Sequence, residues 1–109
     1  MTFDERLAER IRGSLGRRQG LVEQKMFGGV AFLLNGNMCV GVHKSDLLVR
    51  LAPEETDKAL SKPHTRRFDL TGRPMKGWIL VEQAGLNTDA KLRKWVQVAA
   101  KYAGSLPAK

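Results

Sequence analysis

The chain has 109 residues, 42% hydrophobic and 28% charged, with 19 Lys and Arg against 11 Asp and Glu for a net charge of +8. That is the size of one domain, residues 1–109, with enough apolar material for its own core; a single cysteine excludes an intrachain disulfide and a multi-Cys zinc site, and no run approaches the ~18 apolar residues of a membrane span. The surplus positive charge favours anionic partners, nucleic acid first, without establishing one.

Met1 to Glu9 carries acids and no apolar stretch, so no signal peptide is expected and the chain reads as cytoplasmic. Thr2 and Glu5 form a capping-box pattern that starts a first helix, with Phe3, Leu7, Ile11 and Leu15 along one stripe and Gly16 as its stop. Arg17 and Arg18 open a basic loop through Gly20, and Leu21 to Met26 reads as a short strand. Gly28 and Gly29 then interrupt the pattern. Neither a helix start nor a Gly-Lys-Ser/Thr follows, so the pair reads as a bulge or close backbone approach rather than a phosphate loop.

Val30 to Leu34 and Met38 to Val42 flank Asn35 and Gly36, the strongest short-range hairpin signal in the chain, because both central residues of a type I′ turn need positive φ. The turn sets an expected register: Leu34 faces Asn37, Leu33 faces Met38, Phe32 faces Cys39 and Ala31 faces Val40. Both faces of this ribbon carry apolar side chains. One face is expected under helices and the other under a helix or a partner. Cys39, in mid-strand, reads as a small buried hydrophobe rather than a nucleophile.

His43 to Asp46 is a turn, and Leu47 to Leu51 a further strand. Pro53, Glu54 and Glu55 suit the first turn of a short second helix that ends at Ser61 to Pro63. Lys62 to Lys76 is the most basic window, with Lys62, Arg66, Arg67, Arg73 and Lys76 against Asp69 alone, and Gly72, Pro74 and Gly77 mark a turn or exposed loop in it. Trp78 to Glu82 returns to strand. Asn87 or Thr88 can cap a final helix with Leu92, Trp95, Val96, Ala99, Tyr102 and Ala103 on one side, which makes Trp95 and Tyr102 core anchors, followed by a tail from Gly104 to Lys109. Short turns between strands imply a largely antiparallel sheet, and the order helix, three or four strands, helix, one or two strands, helix is an α+β fold.

Several of these residues resemble a known family. Lys25-Met26-Phe27-Gly28-Gly29, then Phe32, Gly36 and Met38, Leu47-Leu48-Val49-Arg50, and Gly72-Arg73-Pro74-Met75 followed by Trp78 look like the N-terminal domain of the TfoX (Sxy) competence regulators, in order and spacing from about residue 20 to residue 82. The resemblance implies a two-layer, secretion-chaperone-like α/β architecture and a role in activating competence genes alongside a cyclic-AMP-dependent transcription regulator. Full-length members carry a second, C-terminal domain, so a stand-alone N-terminal domain is expected here. The resemblance carries no catalytic or binding residues across.

The expected function is a non-enzymatic interaction module that contacts a protein partner or a second copy of itself as a homodimer. The alternative is direct nucleic-acid binding, with Arg66, Arg67, Arg73 and Lys76 beside Lys94 and Lys101 of the last helix on phosphates; no recognition-helix, zinc-finger or RNP signature accompanies them. An enzyme ranks last. His43 and His64 are the only histidines and form no triad or metal pair, Glu82 near Trp78 reads as an exposed strand-end carboxylate, and Asp46 near His43 as turn chemistry. No cofactor, metal or membrane contact is expected.

Overall fold

The Asn35–Gly36 turn closes a β-hairpin inside the sheet. In the computed structural model, which describes residues 4–26, 29–68 and 76–108, Asn35 and Gly36 have φ of 53° and 83°, as a type I′ turn requires. They join β2 (Gly29–Leu34) to β3 (Asn37–His43). Leu34 faces Asn37 and Leu33 faces Met38 as the turn dictates, but a bulge follows, so Phe32 faces Val40 and Ala31 faces Gly41 instead of Cys39 and Val40. One extra residue in β3 turns the Cys39 side chain inward next to Val40, and both are fully buried in the same cluster. Turn geometry sets the register only as far as the first irregularity.

β1 (Leu21–Met26) pairs outside β2, and β4 (Asp46–Arg50) pairs with β3 across the turn at Lys44. The chain then leaves the sheet through a 3₁₀ turn, Pro53–Glu55, and α2 (Thr56–Leu60), and returns as β5 (Thr65–Arg67) and β6 (Trp78–Val81). The order is β1-β2-β3-β4-β6-β5 with every pairing antiparallel, so the fold is α+β. The basic window expected as a loop therefore contributes an edge strand at Thr65–Arg67, because β6 offers Thr65, Arg66 and Arg67 partners in Val81, Leu80 and Ile79. Arg73, Gly72 and Pro74 lie outside the described residues.

α1 (Glu5–Leu15) and α3 (Asp89–Ser105) cover one face of the sheet and pack on each other. Leu7, Ile11 and Leu15 of α1 are buried as their spacing predicts; Thr2 and Phe3 lie outside the described residues. The cap itself is Asp4, whose Oδ1 accepts from the N–H groups of Arg6 (3.0 Å) and Leu7 (3.2 Å). Asp4 is held for this role, since its N–H donates to the Lys44 carbonyl and its Oδ2 accepts from Gln83 Nε2. Thr88 caps α3 by accepting from the Lys91 N–H. That helix runs through Ser105, so Gly104 is helical, and Pro107 is pinned where its carbonyl accepts from the buried Asn37 Nδ2 at 2.9 Å.

The core between sheet and helices includes Phe32, Val40, Leu47, Val49, Ile79 and Val81 against Ile11, Leu92, Val96 and Ala99. Each large side chain among them contributes ~1.5–3 kcal/mol by leaving water. On the opposite face Leu48 and Leu80 are buried beneath Phe68, with Met38 and Trp78 packed beside them. Phe68, the residue after β5, thus covers Leu48 and Leu80 from within the chain, where a helix or a partner was expected. Among the described residues the exposed large hydrophobics are Val22 and Val98.

Thr56 ties α2 to this framework. Its buried Oγ1 accepts from the Gly77 N–H at 2.7 Å, just before β6. Thr56→Val is expected to cost about 1–3 kcal/mol by leaving that donor unpaired, read as a lowered urea midpoint; an unchanged midpoint would show that the bond contributes nothing net.

Candidate partner-binding groove

α3 carries two apolar stripes. Leu92, Val96, Ala99 and Ala103 recur at helical spacing and are buried against the sheet. Trp95 and Tyr102 each precede a residue of that stripe, about 100° around the helix, so they lie at its margin and are half-buried rather than core. With Val98 between them, 45% exposed, they form a second stripe at i, i+3 and i+7 that faces α2 across a groove of about 740 Å³. Sequence spacing merged the two stripes into one.

The groove floor is apolar, with Leu51, Ala59, Trp95, Val98 and Tyr102 among its lining residues. Its rim is cationic. Lys58 and Lys62 stand on the α2 side and Lys91, Lys94 and Lys101 on α3, with Glu55 as the carboxylate among them. The aromatic rings already engage cations, since Lys62 Nζ sits 5.3 Å from the Trp95 ring centre and the Arg50 guanidinium lies 5.8 Å from that of Tyr102 and 5.4 Å from that of Trp78. An apolar trough with a positive margin can take a body that is apolar along one side and negative along its edges.

Of the six residues of the phosphate hypothesis, the five that the structure describes are spread over the surface. Lys94 and Lys101 line the groove. Arg66 and Arg67 are on β5, beside a second cavity of about 180 Å³ with His43, Lys44, Asp46 and Phe68. Arg66 is paired there, with Asp46 and, at 3.5 Å, with Glu82. Lys76 is exposed in the turn before β6, and Arg73 lies outside the described residues. Lys58 and Lys91 were missed by sequence reasoning, because the proximity of α2 to α3 is set by the sheet that both pack over. Their signal was the cationic flanking of the Trp95–Val98–Tyr102 stripe.

The remaining reactive groups have structural roles. His43 and Asp46 are the register pair that closes the β3–β4 turn, His43 packs edge-on against Phe68, and Asp46 accepts from Arg66. Cys39 is fully buried, and burial pushes its thiol up to about 11, with nearby Arg18 pulling weakly the other way. No helix among the described residues is long and apolar enough to cross a membrane.

A model of the TfoX N-terminal domain family matches residues 14–103, which span every strand, α2 and most of α3. Comparison with curated proteins and with solved structures returned no match. With the match covering most of its length, the chain belongs to the TfoX N-terminal domain family.

Proposed function

We propose that this protein is a non-enzymatic interaction module of the cytoplasm that serves gene regulation by holding a protein partner in the groove between α2 and α3. The observation that carries the reading is Val98, an apolar side chain 45% exposed that lines this groove together with the half-buried Trp95 and Tyr102 on either side of it along α3. Exposed apolar side chains grouped in a concavity mark interaction surfaces, whereas Val22, the other exposed one, stands alone on an edge strand. A single, buried cysteine in place of a disulfide framework suits the reducing interior of a cell.

Val98→Asp places a charge on the groove floor at a position exposed enough to leave the fold intact. The protein partner recovered by quantitative affinity purification with the wild type is expected to fall at least about tenfold with Val98→Asp, and to be retained with Val22→Asp. Equal recovery with wild type and Val98→Asp would overturn the assignment of the groove.

A further inference from the structure

We infer that the partner segment seated in the groove is an amphipathic α-helix with acidic residues along both flanks of an apolar stripe. This rests on the groove being a protein-contact surface, as proposed above. The groove's α3 wall runs from Lys91 to Ser105, which at 1.5 Å per residue is ~21 Å, or four helical turns. A ligand confined to one ring would use one or two of those turns. A helix of about 14 residues laid alongside uses all of them, with its i, i+3, i+4 and i+7 side chains on Trp95, Val98 and Tyr102.

Charge decides the rest of the chemistry. Lysines stand on both walls, Lys58 and Lys62 on one and Lys91, Lys94 and Lys101 on the other, against one glutamate. An incoming helix therefore meets cations on either side of its apolar face, and Glu or Asp at its flanking positions pairs with them. A second copy of this chain fits poorly, because an isologous contact through the groove would bring two lysine rims together on a protein already at +8. Lys62 has a defined place in this scheme. Its Nζ already lies over the Trp95 ring, at the boundary of floor and rim, where it can pair with a carboxylate on a helix whose apolar side covers the indole.

The test uses two synthetic peptides of about 18 residues, five helical turns, with the same leucine stripe and either Glu or Lys at all flanking positions. Binding is followed through the Trp95 indole N–H and Val98 methyl resonances, and sodium dodecanoate serves as the small-amphiphile comparison. The Glu peptide is expected to shift both resonances and to bind at least about tenfold more tightly than the Lys peptide. Lys58→Glu, Lys62→Glu, Lys94→Glu and Lys101→Glu together leave Lys91 alone against five glutamates on the rim and are expected to reverse that preference, an exchange that mere loss of structure would not produce. Equal binding of the two peptides, shifts confined to residues away from the groove, or binding of dodecanoate alone would overturn the inference. The two readings fail separately: a partner lost with Val98→Asp but no binding of the Glu peptide removes the acidic helix and keeps the groove, while a partner indifferent to Val98→Asp removes the groove's assignment to that partner whichever way the peptides behave.

Discussion

A single methyl added as Gly29→Ala is expected to cost about 3 kcal/mol or more, a large part of the ~5–15 kcal/mol that holds a domain of this size together. A Cβ at Gly29 would stand 1.9 Å from the Val42 carbonyl oxygen and 3.1 Å from its carbon. Both belong to backbone on β3, so no side chain can swing aside; β2 and β3 must separate where their pairing begins. Gly13→Ala is the matched control. It lies on α1 with nothing within 4 Å of the added carbon, and is expected to gain ~1 kcal/mol from helix propensity alone. Urea unfolding followed by circular dichroism should therefore move the two midpoints in opposite directions. Equal midpoints would mean that the β2–β3 approach at Gly29 is looser than the structure has it.

Alkaline pH is expected to destabilise the protein through Cys39. Burial raises the folded thiol from 9.0 to about 11, so from pH 9 upward the unfolded chain ionises first while the folded chain keeps its proton. The unfolded state then binds fewer protons, and stability falls as pH rises. This contribution is complete below pH ~9 and is lost on the way to pH ~11, with a total of about 2–3 kcal/mol at 1.36 kcal/mol per unit. Cys39→Ala has a lower baseline because it leaves a void beside Phe32 and Val40, but it lacks the titrating thiol. The difference between wild type and Cys39→Ala in urea is expected to narrow between pH 8 and pH 10.5, since only the wild type carries the buried thiol. A constant difference would show that the thiol is solvated. Slow reaction of Cys39 with a thiol reagent until denaturant is added is the companion observation.

The hairpin and the groove illustrate how far local patterns reach. Asn35 and Gly36 each tolerate the positive φ of a type I′ turn whatever surrounds them, so the turn and its first two cross-strand pairs were legible. The bulge beyond them was not, because it is stabilised by what Cys39 gains in the core and not by the turn. Arg66 reads in the sequence as one more cation in a basic window; its pairing with Asp46 and Glu82 depends on β5 lying against β6, and β6 against β4. Likewise Trp95 and Tyr102 satisfy the spacing of the core stripe closely enough to be counted with it. Only the position of the sheet under α3 shows which way the 100° difference points them.

By itself, then, the amino-acid sequence determined the helices, the strands other than β5 and their order, the β2–β3 hairpin, the burial of Cys39 and the family, because each depends on neighbours within a turn or two of chain or on a motif read in line. The tertiary structure alone decided that Phe68 closes the second face, that Arg66 is spent on acids, and that Lys58, Lys62, Lys91, Lys94 and Lys101 surround one apolar trough. These depend on α2 and α3, some thirty residues apart in the chain, meeting over the same sheet, and no periodicity along either helix encodes that distance.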